Sequence, residues 1–170
     1  NVPHGTDVEH ICDILSSLGV AVRWDGPGRL RINGAGLNRV QAPYELVRKM
    51  RASFYVAGLL LGRLGEAVVP LPGGCSIGSR PVDYHIKGFE ALGAQVALEH
   101  GYMKAYAKRL TGAKYYVSRA SVGATINTML AAVLAEGTTV LENAAREPEV
   151  VDLANLLNAM GAKIRGAGMD

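Results

Sequence analysis

The chain repeats one pattern of helix, closing glycine and strand, and this repetition limits the possible folds more than any other feature. Three amphipathic stretches each end in a hydrophobic residue and a glycine, and then run into a segment with strand character. The glycines are Gly19, Gly93 and Gly161, roughly 70 residues apart, and self-similarity at a regular spacing indicates a repeat architecture. Glycine suits the left-handed conformation in which many helices end. The sequence therefore predicts one unit that is used several times.

Two apolar helices alternate with the amphipathic ones, and each is also followed by a glycine, Gly65 or Gly137, and a strand. Residues 53–61 and 121–135 contain no charged side chain. A helix that is hydrophobic all round is buried on all sides. Both segments are shorter than the roughly 20 residues that cross a bilayer. We therefore expect both helices to lie inside the domain.

The middle repeat predicts the whole unit, which is helix, three strands, helix and a further strand over roughly 70 residues. Its strand near residues 102–107 alternates, with Tyr102, Lys104 and Tyr106 on one face and Met103 and Ala105 on the other. The fold class predicted is α/β, with helices packed centrally and sheets around them. Residues 1–170 are expected to form a single lobe of three repeats, the first and last of them truncated.

Composition excludes several classes of protein. The chain has 170 residues, a net charge of +3 and 49% hydrophobic residues, which predicts one soluble globular domain. No apolar run would span a membrane and no signal peptide is visible, so we expect a cytoplasmic protein without a membrane partner. The small positive charge suits an anionic small molecule better than nucleic acid. Two cysteines are too few for a disulfide scaffold, and the histidines lack metal-ligand spacing.

Cys75 lies in PLPGGCSIGSRPVD, among glycines instead of in an apolar run. Arg80 follows, and a helix is predicted to begin near Pro81. A guanidinium and a helix N-terminus both favour the thiolate, and a glycine-rich loop can close over a substrate. We interpret Cys75 as a solvent-accessible acid or nucleophile and Arg80 as a phosphate clamp. The alternatives are an incidental loop cysteine and a surface salt bridge. Cys12 lies on an apolar helix stripe and is interpreted as a core residue.

Two further segments carry candidate anion ligands where the chain enters an apolar helix. Arg51 belongs to the basic run RKMR before the first apolar helix, and Ser121 in SRASVGAT begins the second. Free backbone amides at a helix N-terminus attract anions. The alternatives are a solvated basic face for RKMR and an ordinary N-cap for Ser121. Helix N-termini that point the same way would form a positive face suited to a phosphorylated or nucleotide-bearing substrate.

Four segments carry a resemblance to a known family: APYELVRKMRAS, LPGGCSIGSRPVDYHI, SVGAT and LAEGTTVLENAAREPEVVDLANLLNAMGAKI. Together they resemble the UDP-N-acetylglucosamine 1-carboxyvinyltransferases, also called UDP-N-acetylglucosamine enolpyruvyl transferases. The similarity runs from about Val2 to the end of the chain, in the family's order. The cysteine loop is the most specific motif, because the sister enzyme 5-enolpyruvylshikimate-3-phosphate synthase shares the fold and lacks that cysteine. The resemblance implies two similar lobes of three βαβαββ units each, with helices inside.

The resemblance implies transfer of an enolpyruvyl group from phosphoenolpyruvate to the 3′-hydroxyl of UDP-N-acetylglucosamine, with release of phosphate. In the family this is the first committed step of bacterial peptidoglycan synthesis, which implies a role in cell-wall biogenesis, cell shape and cell division. Both substrates are small molecules. The scheme requires neither a metal nor an organic cofactor.

The resemblance also implies roles for individual residues. Cys75 matches the proton donor to the methylene carbon of phosphoenolpyruvate, which can form a covalent phospholactoyl adduct and is alkylated by fosfomycin. Arg80 matches an arginine near the phosphate of phosphoenolpyruvate. The residues implied to bind the sugar nucleotide are Arg51, Arg80, Pro81, Val82, Asp83, Tyr84, Arg119, Ala120, Ser121 and Val122. Tyr84 replaces a frequent leucine, and Arg119 stands where lysine is common, which keeps the charge but changes the hydrogen-bond geometry.

Some parts of the family pattern have no counterpart in the sequence. Its Lys-Asn pair would precede the first residue, and its second lobe carries the aspartate proposed to act on the 3′-hydroxyl. We therefore expect the chain alone to lack transfer activity. Two other hypotheses stay open. One is a non-catalytic nucleotide-sugar-binding module of the same fold. The other is a nucleic-acid-binding domain that uses YMKAYAKR and KYY, whose affinity would fall steeply with salt.

Overall fold

A computed structural model describes residues 1–72 and 82–169 of the chain. Cys75, Arg80 and Pro81 lie outside the described residues. The helices are α1 (Thr6–Ser17), α2 (Tyr44–Val47), α3 (Val56–Leu64), α4 (Asp83–Ala91), α5 (Val122–Ala132) and α6 (Pro148–Ala159), with short 3-10 helices at Gly34–Gly36 and Arg51–Tyr55. The strands are β1 (Ala21–Trp24), β2 (Leu30–Asn33), β3 (Glu66–Pro70), β4 (Gln95–Glu99), β5 (Tyr102–Tyr106), β6 (Lys114–Tyr116) and β7 (Val140–Glu142).

Helices α3 and α5 form the centre of the fold and run parallel to each other. Gly58 of α3 lies against the backbone of Asn127, and Gly62, one turn later, lies against Leu130 and Ala131. Because the contacts advance in the same direction along both helices, their N-termini lie at the same end. The two apolar stretches were predicted to be buried, and Leu60 and Leu61 of α3 and Ala131 of α5 are fully buried.

The largest sheet joins two repeats in the order β3-β5-β4, with both pairings antiparallel. Strand β3 follows the central helix α3, and β4 and β5 form a hairpin whose turn has positive φ at His100 and Gly101. The predicted alternation is confirmed, because Met103 and Ala105 are buried while Tyr106 is 54% exposed. The fold class is confirmed as well: mixed strands and helices, with helices in the core.

The five closing glycines all have the left-handed conformation that the sequence pattern predicts. Their φ values are 97° at Gly19, 73° at Gly65, 92° at Gly93, 91° at Gly137 and 108° at Gly161. The middle repeat contains the expected order α4, β4, β5, β6, α5 and β7. Its parallel pair β6–β7 corresponds in the first repeat to a single parallel bridge between Gln41 and Val68. The division into one lobe with truncated outer repeats stays a prediction.

Three details of the sequence reading were wrong. No strand follows α6 in the described residues, because the backbone of Ile164 exchanges two hydrogen bonds with the side-chain amide of Asn158 and not with another strand. The first apolar helix begins as the 3-10 turn Arg51–Tyr55, and α5 ends at Ala132, so that Leu134 lies 56% exposed. Cys12 is only half-buried; the fully buried residues of α1 and its cap are Ile14 and Leu18.

Candidate anion-binding site at three helix starts

The beginnings of three helical segments meet at one end of the central helices. Gly123 is the second residue of α5, and a Cβ placed there would lie 3.1 Å from Cε1 of His85 and 3.7 Å from Cε1 of Tyr55. His85 belongs to the first turn of α4, and Tyr55 ends the 3-10 turn that leads into α3. The structure therefore brings together the segments that carry Arg51, residues 82–84 and residues 121–122.

The predicted residues Val82, Asp83 and Tyr84 form the N-cap and the start of the first turn of α4. Val82 is the N-cap and is buried, whereas Asp83, the first helical residue, is exposed. Tyr84 is half-buried, and its backbone carbonyl accepts a hydrogen bond of 2.9 Å from the hydroxyl of Tyr115. This bond fixes the first turn of α4 against strand β6.

The N-terminus of α5 has the local structure of an anion site. Ser121 is the N-cap, and its Oγ accepts a long hydrogen bond of 3.4 Å from the amide of Ala124. The amides of Val122 and Gly123 have no acceptor within the described ranges 1–72 and 82–169. Since the first turn of α5 lacks an acidic residue, no carboxylate within that turn offsets the partial positive charge of the helix N-terminus.

The segment before α5 is accessible from solvent. Arg119 and Ala120 are both exposed. A shallow depression of about 480 Å³ adjoins them and is lined by Ala120 and residues 143–147. The predicted residues 119–122 thus pass from an open surface into the half-buried start of α5.

Arg51 is exposed at the beginning of the 3-10 turn that ends at Tyr55. Its guanidinium acts on Tyr55: burial raises the pKa of the Tyr55 hydroxyl, the carboxylate of Glu149 raises it further, and Arg51 opposes both. Arg51 therefore contributes positive potential to the neighbourhood in which Tyr55 contacts Gly123.

His85 was missed in the sequence analysis, although it directly follows the predicted stretch 80–84. Its ring packs edge-on against Phe54 with centroids 5.1 Å apart, and its Nδ1 lies 2.9 Å from Nδ2 of Asn127. Burial lowers the pKa of His85 to about 4, so the imidazole is neutral near pH 7. The Cε1–Nε2 edge of the ring faces Gly123. Its position after RPVDY is the only signal in the sequence, and a histidine in a helix is usually structural.

The free amides at the start of α5 suit an anion, and comparison with known proteins gives the class of protein. The family model described as EPSP synthase (3-phosphoshikimate 1-carboxyvinyltransferase) matches residues 1–170. The chain therefore belongs to this family of carboxyvinyl transferases, also called enolpyruvyl transferases.

The most specific similarity is to UDP-N-acetylglucosamine 1-carboxyvinyltransferases, as the sequence motifs predicted. The chain is 55% identical over 168 residues to such a protein from Symbiobacterium thermophilum, covering 99% of this chain and 40% of the relative. It is 53% identical over 172 residues to one from Synechocystis, covering 99% of this chain and 39% of the relative. The chain thus spans about 40% of the length of these curated relatives.

Solved structures agree with the fold. The enolpyruvyl transferase NikO from Streptomyces tendae matches with a TM-score of 0.83 at 23% identity, over 98% of this chain and 39% of that one. EPSP synthase from Acinetobacter baumannii matches with a TM-score of 0.69 at 22% identity, over 97% of this chain and 38% of that one. Within the residues that the structure describes, no helix is long and apolar enough to span a membrane.

Proposed function

We propose that this chain supplies the sugar-nucleotide site and the cysteine loop of an enzyme that transfers enolpyruvyl from phosphoenolpyruvate to the 3′-hydroxyl of UDP-N-acetylglucosamine, releasing phosphate. The convergence of the starts of α4, α5 and the Arg51–Tyr55 turn is the observation that carries the proposal. The names of relatives at 53–55% identity support the choice of substrate. The enzyme would be cytoplasmic and would serve peptidoglycan synthesis, and hence cell-wall biogenesis, cell shape and cell division.

The diphosphate is the part of the substrate that this arrangement suits. Free amides of Val122 and Gly123 can donate hydrogen bonds to phosphate oxygens, and the Ser121 hydroxyl can turn outward to donate one more. Arg51 and Arg119 add fixed positive charge, Arg51 near Tyr55 and Arg119 two residues before the N-cap Ser121. A neutral His85 adds a donor without the cost of burying a charged group.

The transfer needs a proton delivered to C3 of phosphoenolpyruvate while the sugar hydroxyl loses its proton to a base and adds to C2. Loss of a proton from C3 and of phosphate from C2 then restores the double bond. We assign proton donation to Cys75, because an acid with a pKa near the working pH does this best, and we assign binding of the phosphate to Arg80. Both residues lie outside the described residues, and these roles derive from the family resemblance. The scheme uses no metal or organic cofactor, and the second lobe of the relatives would contribute the remaining catalytic groups.

Binding of UDP-N-acetylglucosamine to the 170-residue chain, measured by titration calorimetry, tests the proposal. We expect Arg51→Gln to weaken binding roughly tenfold, the value of one charge-assisted contact. Arg48→Gln is the matched control, because Arg48 is an exposed neighbour that pairs with Glu45 and stacks over Tyr44. The proposed site would be contradicted if the wild-type chain did not bind UDP-N-acetylglucosamine, or if Arg51→Gln and Arg48→Gln weakened binding equally.

A second experiment separates the enzyme from a non-catalytic sugar-nucleotide-binding module. In the protein as its gene encodes it, we expect fosfomycin to label Cys75 and not Cys12, and Cys75→Ser to abolish transfer. Transfer is assayed as phosphate released from phosphoenolpyruvate in the presence of UDP-N-acetylglucosamine. Full binding with no transfer and no labelling in the complete protein would favour the binding module.

A further inference from the structure

The buried side chain of Asn127 connects three segments at the candidate site, namely the Arg51–Tyr55 turn, α3 and α4. It is fully buried in the second turn of α5. Its Oδ1 accepts a hydrogen bond of 2.7 Å from the amide of Gly58, and its Nδ2 donates one of 3.1 Å to the carbonyl of Phe54. The same Nδ2 lies 2.9 Å from Nδ1 of His85. All the donor hydrogens of this side chain are thus used inside the protein.

The backbone fixes which way the Asn127 amide faces. The Gly58 amide can only donate and the Phe54 carbonyl can only accept, so the oxygen must face Gly58 and the nitrogen must face Phe54. The second hydrogen on Nδ2 then points at His85. Because a donor faces Nδ1, that nitrogen must be the acceptor of the neutral ring, and the ring proton must be on Nε2.

We infer that Asn127 is a positioning residue for the sugar-nucleotide site: it holds His85 as the Nε2–H tautomer, with that donor beside the first turn of α5. This inference rests on the proposed function, since the donor is useful only if an anion binds there. The Nε2 atom has no hydrogen-bond partner in the part of the chain that the structure describes. Gly123 next to it has no side chain that would cover the ring edge.

The tautomer is tested first, without ligand. Long-range proton–nitrogen correlation spectra of the ¹⁵N-histidine-labelled chain at neutral pH should show His85 protonated on Nε2 and bare on Nδ1. His85→Gln assigns the signal. In Asn127→Asp the carboxylate replaces the donor with an acceptor of the same shape, so Nδ1 should gain a proton. A wild-type ring protonated on Nδ1, or an unchanged pattern in Asn127→Asp, would overturn the inference.

A double-mutant cycle with UDP-N-acetylglucosamine then tests the positioning role. We expect Asn127→Ala to weaken binding by about tenfold in the wild-type background, the value of one hydrogen bond to a charged group. In the His85→Ala background it should have almost no further effect. Equal losses in both backgrounds would mean that Asn127 supports the fold only, and would overturn the inference.

Thr125→Val is the matched control for lost stability. Thr125 is buried in the same helix, and its Oγ1 accepts a 3.0 Å hydrogen bond from the amide of Ala145, away from His85. This variant should leave the His85 spectrum unchanged, which separates a general loss of packing in α5 from loss of the Asn127–His85 contact. If Asn127→Ala does not fold, the isosteric Asn127→Asp still decides the question through the spectrum. A chain that shows the expected tautomers but binds no nucleotide would refute the proposed function and leave the Asn127–His85 contact standing.

Discussion

Replacing Gly58 with alanine should destabilise the protein, although the same change stabilises most helix interiors. A Cβ on Gly58 would lie 2.2 Å from the backbone oxygen and 2.7 Å from Oδ1 of Asn127. Normal contacts of this kind exceed about 3.4 Å, so α3 and α5 would have to separate by roughly 1 Å, and overpacking of this kind costs about 1–3 kcal/mol. Separation also breaks the Gly58–Asn127 hydrogen bond, worth about 1 kcal/mol. The gain in helix propensity returns only about 0.5–1 kcal/mol.

The expected net loss in Gly58→Ala is therefore about 1–3.5 kcal/mol, centred on about 2 kcal/mol, and that centre corresponds to roughly 4–8 °C in Tm for a chain of this length. Thermal unfolding followed by circular dichroism measures it. Gly62→Ala, whose nearest atom is the Leu130 oxygen at 3.0 Å, should lose less. Gly34→Ala, with nothing within 4 Å of its Cβ, should stay within about 0.5 kcal/mol of wild type. A Gly58→Ala protein as stable as Gly34→Ala would refute the close contact of α3 with α5 at Gly58.

Three further predictions concern single polar side chains. In the unfolded chain His85 has an ordinary histidine pKa of about 6.5, whereas burial lowers its pKa to about 4 in the folded protein. The free energy of unfolding should therefore fall as the pH falls through this window, by at most about 3 kcal/mol. Urea titrations at several pH values should show that the free energy of unfolding depends less on pH in His85→Gln, whereas the exposed His100→Gln should keep the wild-type dependence. Ser53 is fully buried and its hydroxyl has no partner among the described residues. Ser53→Ala should therefore change the free energy of unfolding by less than about 1 kcal/mol in the same titration. A loss of about 2 kcal/mol would show that the hydroxyl does make a hydrogen bond. Asn158→Ala removes both hydrogen bonds to Ile164 and should speed amide exchange over residues 162–165 while leaving α3 protected; exchange that rises equally in α3 would contradict this local role.

The repeat was predictable because its signals are local. A glycine after an apolar helix has few alternatives to the left-handed conformation when the chain reverses into a strand, and this held at every repeat from Gly19 to Gly161. The alternation of strand β5 was equally local. The absence of a strand after α6 in the described residues was not predictable from that segment alone, because strand formation depends on a partner strand. The backbone of Ile164 makes its hydrogen bonds to the side chain of Asn158 instead.

The candidate site was predictable only in part, for a related reason. Residues 82–84 and 121–122 were found through motifs of the family, and their convergence follows from the topology. The Asn127–His85 contact joins residues 42 positions apart, and nothing near Asn127 in the sequence distinguishes it from other polar residues in an apolar helix. The role of Asn127 is visible only in the folded structure, where its side chain forms hydrogen bonds with the backbone of Phe54 and Gly58.

Tandem repetition itself explains how a chain with a net charge of only +3 would form the proposed anion site. Successive units place α3 and α5 parallel to each other. Helix α4 runs in the same direction, because His85 and Gly88 contact α5 in the same order in which they occur along the chain. Three helix starts therefore lie at one end. The start of α5, whose first turn has no acidic residue, contributes about 0.3–1 kcal/mol toward a bound anion. Asp83 in the first turn of α4 offsets part of the field of that helix, and the exposed arginines Arg51 and Arg119 supplement the field. An antiparallel arrangement of the same helices would cancel it, so the direction of the repeat, more than the number of basic residues, accounts for the position of the site.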